Sequence, residues 1–186
     1  MYLSFIGRLD EALTEIKRAQ ELDPLSLNTN FDVGLVYYYA RRYDEAIAQC
    51  RRVLEMDQGF LAARGVITWS YLLQGAGEAA IAEYTRQPLV DPQVLGYVYG
   101  AAGHTKLAQR ELERLTVLAQ QRSADPFNVA MAYMTLGHKD EALDWLDNTY
   151  KNLDTRPELI DLKVDPRLDQ IRSEPRFAQL LRDIGL

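Results

Sequence analysis

The feature that most constrains this chain is a line written almost twice: GRLDEALTEIKRAQELDP from Gly7, and RRYDEAIAQCRRVLEMDQ from Arg41. Their alanines, Ala12 and Ala46, are 34 residues apart. Helical sequence that recurs at fixed spacing stacks similar units instead of wrapping one central core. In the first copy Leu9, Ala12, Leu13, Ile16, Ala19 and Leu22 fall at three- and four-residue steps, which puts them on one helical face. Pro24 ends that helix, because proline lacks the amide the helical ladder needs.

The same alanine recurs in Ala80, Ala108 and Ala142, so the successive spacings are 34, 34, 28 and 34 residues. Five positions before each alanine stands Gly7, Gly75, Gly103 or Gly137, with Arg41 taking that place in the second copy. A glycine there suits the tight turn between two antiparallel helices, where φ is positive. Ahead of each of the last four turns lies another apolar helix, carrying Gly34 then Tyr37, Thr68 then Tyr71, Gly96 then Tyr99, and Ala130 then Tyr133. The small residue lets a neighbouring helix approach, and the ring fills the space beside it.

These residues resemble the tetratricopeptide repeat over about residues 2–151. Gly34, Tyr37, Ala46 and Asp57, with Ala12, Ala19 and Pro24, stand where that family places its small, aromatic, alanine and terminating residues. The resemblance implies an all-α fold, an α-α superhelix of antiparallel pairs: a partial first repeat at 2–24, then repeats at about 27–58, 60–88, 90–122 and 124–151. Gln58 replaces the terminal proline, and the third copy is six residues short, with Pro88 cutting its second helix early. Residues 152–186 break the repeat with Pro157, Pro166 and Pro175. They end in a helix whose Phe177, Leu180, Leu181 and Ile184 share one side and are expected to cap the last repeat. This ending, VDPRLDQIRSEPRFAQLLRDIGL, resembles the C-termini of tetratricopeptide regions in large bacterial signalling proteins. The first copy keeps only the stub YLSFI of its first helix, which suggests a chain that begins inside a longer protein.

Function follows from the surface such an array presents. The resemblance implies that the first helix of each pair lines a concave groove for a partner's peptide or helix. That groove is expected to show Phe31, Leu35, Tyr38, Tyr39, Trp69, Leu72 and Leu73, then Tyr97, Phe127, Met131 and Met134. Aromatic and methionine side chains offer large contact area at modest entropic cost, although burial between helices is the default for such residues. Asn28 and Asn30 are the nearest polar groove candidates, which disfavours a clamp for a terminal carboxylate. Arg41, Arg42, Arg51 and Arg52 could meet an acidic partner, or form a solvated face paired with nearby carboxylates.

The net charge of −6 argues against nucleic acid as a direct partner, and no apolar run reaches bilayer length. A single cysteine, Cys50, excludes an internal disulfide, and no signal peptide is legible, so a cytoplasmic protein is the plain expectation. His104 and His138 follow two turn glycines without a clear third metal ligand. There is no nucleophile elbow or phosphate loop, and the glycines of GAGEAA lie in a turn with no strand before it. The expectation is a non-catalytic interaction module without metal or cofactor, a regulatory part of a bacterial signalling or transcription-regulating protein. The alternative is self-association, a homodimer formed through the partial first repeat.

Overall fold

In a computed structural model, residues 1–86, 90–151 and 161–186 are described, with the side chains of 150 and 151 left out. Pro88 and Pro157 therefore lie outside the described residues; among the described residues no strand occurs. The helices are α1 (Tyr2–Phe5), α2 (Leu9–Leu22), α3 (Leu27–Tyr39), α4 (Tyr43–Met56), α5 (Leu61–Leu73), α6 (Gly77–Thr85), α7 (Leu95–Ala101), α8 (Thr105–Gln120), α9 (Pro126–Thr135), α10 (Lys139–Lys151) and α11 (Pro175–Asp183). A short 3₁₀ turn, Pro166–Leu168, precedes α11. The chain forms two compact units: 1–86 with 161–169 and Leu186, and 90–151 with 170–185.

The helix boundaries have local causes. Gly7, Gly75, Gly103 and Gly137 all adopt positive φ, between 76° and 85°, and the turn at the second copy is made by Arg41 at φ 60°. The left-handed conformation places each chain reversal at the same point of its repeat, and a new helix begins two residues after it. Asp10 and Glu11, Asp44 and Glu45, and Asp140 and Glu141 occupy the first turns of α2, α4 and α10. Negative charge there complements the unpaired amides at the helix start.

In the first unit each helix packs on the next, and α3 also packs on α5, so first helices form one layer and second helices another. The repeat signature is what lets them meet. Ala12, Ala46 and Ala80 are buried, and a Cβ added at Gly34 would stand 2.7 Å from the Cys50 sulfur. Burial pushes the Cys50 thiol up to about 12, so it stays a neutral core group. Asn30 locks α2, α3 and α4 together: its amide donates to the Pro24 and Ser26 carbonyls at 2.8 and 2.9 Å, and its oxygen accepts from Gln20 and Gln49.

In the second unit α7 packs on α8 and α9, and α9 on α8 and α10. Gly96 sits against Ala132, while the space beside Gly100 is filled by Thr135, whose Oγ1 would be 2.0 Å from an added Cβ. The apolar face of α11 packs on α10 with Phe177 and Leu180 buried. Arg176 pairs there with Asp144 and Asp147 at 2.7 and 3.1 Å.

Candidate functional site: the first-helix faces

The site of the first unit begins at the end of α3. Ser26 caps this helix through its hydroxyl, which accepts from the Thr29 amide, and the apolar period then carries it to Tyr37, Tyr38 and Tyr39. Tyr37 turns toward the second helices, where Arg42 and Lys17 lie 4.7 and 5.2 Å from its ring centre. Tyr38 and Tyr39 are each 2% exposed, and what covers them is the chain itself. Tyr39 donates its hydroxyl to Asp161 at 2.5 Å, and Tyr38 donates to Asp165 at 3.0 Å. One position past the helix cap, Arg41 makes a two-point pair with Asp169 at 2.6 and 3.0 Å.

Residues 161–169 thus run along α3 and α5 as an inserted strap. Val164 is buried in the same apolar cluster as Tyr38, Tyr39, Val66 and Ile67. Asp165 starts the 3₁₀ turn by accepting from the Arg167 amide at 2.9 Å, and that turn packs against α5. The Arg167 guanidinium pairs with Asp165 at 2.6 Å and lies 5.1 Å from the centre of the Trp69 ring, an electrostatic fit of cation to aromatic face. Burial raises the Asp161 carboxyl above the usual carboxylate range, and the charge of Asp165 adds to this against the opposing effects of Tyr39 and Arg167. Burial, then the two aspartates, likewise push the Tyr39 hydroxyl up.

The structure sorts the groove candidates by exposure. Tyr38, Tyr39, Leu72, Tyr97, Met131 and Met134 are buried, the alternative the sequence offered for such side chains. For the two tyrosines the cover is the strap. Phe31, Leu35, Trp69, Leu73 and Phe127 remain half-buried. Phe31 stacks obliquely with Phe60 at 5.2 Å, and Trp69 with Tyr84 at 6.2 Å. Asp32, half-buried on the same helix, has its carboxyl raised by burial.

Of the arginines, Arg42 pairs with Glu45 at 2.7 Å and Arg51 donates to the Tyr71 hydroxyl at 2.5 Å. His104 and His138 set their rings edge-on to Tyr99 and Tyr133 at 6.4 and 6.0 Å. No group of three or more His, Cys, Asp or Glu side chains converges on a metal position among the described residues. None of the described helices is long and apolar enough to cross a membrane. Sequence reasoning missed Asp161, Asp165, Arg167 and Asp169. The legible signal was three aspartates at four-residue steps, which by itself names no contact.

The second unit has a groove of ≈ 560 Å³ lined by Thr105, Gln109, Leu112, Glu113, Thr116 and Val117 of α8, with Tyr133, Leu136 and His138 opposite. It lies on a second helix, outside the expected first-helix face.

Paired helices in register, with small residues at each approach and left-handed turns between, define an α-helical repeat protein. Residues 27–60 match the family model described as tetratricopeptide repeat. Over 100 residues it is 31% identical to the Superkiller complex protein 3 of Mus musculus, a match covering 53% of this chain and 6% of that protein. A chain in the solved structure of Naa15/Naa10 bound to HypK-THB matches over 99% of this chain and 28% of its own length, with TM-score 0.48 and 16% identity. The chain therefore spans a small part of either relative.

Proposed function

We propose that this chain is a protein-interaction scaffold that holds a peptide or helix of a partner against the first helices of its pairs. The observation that carries this reading is the strap: residues 161–169, folded into successive tight turns, lie on α3 and α5, where side-chain hydroxyls, a guanidinium and an indole each meet a complementary group. A surface that receives one segment by such contacts has the chemistry to receive another. Phe31, Leu35, Trp69 and Phe127 are the half-buried candidates for partner contact, and Tyr38 and Tyr39 belong to the strapped part. The finer reading, a regulatory arm of a bacterial signalling or transcription-regulating protein, rests on the resemblance of the C-terminal sequence. A photo-crosslinking residue placed at Phe31 or Phe127 tests the reading. Adducts with the same protein are expected from both positions and not from Glu55 on the exposed side of α4. Adducts from Glu55 alone would remove it.

One observation favours self-association as a second reading. Leu22 and Leu25 are 83% and 81% exposed, and Met56 and Leu61 recur at the equivalent inter-repeat connection. Apolar residues gathered at one end of the helix pairs suit a contact between copies. Light scattering over a range of concentrations tests it, and a mass that never rises above 21.2 kDa would exclude it.

A further inference from the structure

The strap meets its receptor by a regular rule. Asp161, Asp165 and Asp169 stand four residues apart, and they meet Tyr39, Tyr38 and Arg41 in turn at 2.5, 3.0 and 2.6 Å. Between the aspartates, Val164 enters the apolar cluster and Arg167 covers Trp69. The receptor side offers two hydroxyl donors and one guanidinium, and no carboxylate of α3 or α5 takes part in these contacts. Its charge is complementary to an acidic ligand, and its donors are met by side chains four residues apart on a segment folded into successive tight turns.

We infer that this face of the first unit is a receptor for an acidic peptide segment of the pattern Asp-x3-Asp-x3-Asp with an aliphatic residue before the second aspartate. The chain's own residues 161–169 occupy it in cis until such a segment of a partner replaces them. The inference rests on the scaffold reading and adds the chemistry of the ligand. Two consequences distinguish an occupant from a part of the core. The strap opens separately from the helices beneath it, and a partner's apparent affinity is reduced by the fraction of molecules in which the strap is shut.

The probe is the end-blocked, labelled peptide DLKVDPRLD, which repeats residues 161–169, titrated by fluorescence anisotropy against the full chain and its Asp161→Ala/Asp165→Ala/Asp169→Ala variant. These substitutions alter the strap and leave every receptor group in place. Binding to the folded variant is expected to be at least about tenfold tighter than to the unaltered chain, and a scrambled peptide is expected to bind neither. A folded variant that gains no affinity for the peptide overturns the inference.

Where the variant does not fold, hydrogen exchange of the unaltered chain decides. The amides of Val164, Asp165 and Leu168, which donate to Asp161 and Asp165 carbonyls, are expected to exchange at least about tenfold faster than those of Val36 and Tyr37 inside α3. Equal protection means that the strap opens only when the unit unfolds, which also overturns the inference. Cross-linking from Phe31 and Phe127 does not depend on this peptide. Its survival beside failed peptide binding would remove the acidic ligand and leave the scaffold.

Discussion

Tyr38 donates its hydroxyl to Asp165 across 127 positions of sequence, with the two residues 2% and 3% exposed. This bond fixes where the C-terminal part of the chain returns to the first unit. Asp165 does three jobs there: it accepts from Tyr38, caps the 3₁₀ turn and pairs with Arg167. Tyr38→Phe removes one donor and is expected to lower stability by about 1–2 kcal/mol, whereas Asp165→Ala strands buried polar partners and is expected to cost about 2–4 kcal/mol. Urea unfolding followed by circular dichroism checks the order. Equal losses would mean that Asp165 serves Tyr38 alone.

Asp161 makes the strap pH-dependent with a definite sign. Its carboxyl is raised by burial, so the folded chain binds a proton there more tightly than the unfolded chain does. The resulting contribution is complete below the ordinary carboxylate range and is lost as pH rises through the raised folded value. Asp161→Asn keeps an acceptor for Tyr39 and removes the titration. Between about pH 7 and about pH 4 the original chain should therefore gain stability relative to the variant. Urea midpoints measured across that range report it, and parallel curves would show that Asp161 does not titrate differently on folding.

Gly34 and Cys50 are coupled by contact. An alanine Cβ at Gly34 falls 2.7 Å from the Cys50 sulfur, which is fully buried. Gly34→Ala is expected to destabilise the first unit by about 1–3 kcal/mol through overpacking. Adding Cys50→Ala vacates the clash, so the double variant should lose less than the two single losses together, with a coupling of at least about 0.5 kcal/mol. Additive losses would contradict the packing account.

Arg41 occupies the turn position that four glycines hold elsewhere. Replacement by glycine relieves about 1 kcal/mol of left-handed strain and removes an ion pair with Asp169 whose partners are each about 40% exposed, worth up to about 1 kcal/mol. Arg41→Gly is therefore expected to leave thermal stability nearly unchanged. Arg41→Ala keeps the left-handed strain and loses the pair, and is expected to lower it. Thermal melts of the two variants separate these terms, and equal melting temperatures would contradict the split.

The helices were legible because each repeat states its own grammar. Glycine or its stand-in at the turn and alanine at the approach are local signals, answered by positive φ and a buried small residue, and in α2, α4 and α10 two acids follow in the first turn. The strap was not legible, because Asp161 and Tyr39 are separated by 122 residues and a single sequence carries no record of such pairs. The exposure of the groove candidates was hidden for a related reason. Leu72 and Met131 are buried while Leu73 and Phe127 stay half-buried, and helical periodicity alone does not decide which of such positions closes. The division into two units also follows from long-range packing: the chain after residue 160 returns to the first unit through 169 and then joins the second.

The central claim is that partners are held by first helices, and amide hydrogen exchange with and without the cross-linked partner tests it most directly. The account predicts that binding slows exchange in α3, α5 or α9 and leaves α2, α4 and α8 unchanged. Slowing confined to α2, α4 or α8 would contradict it.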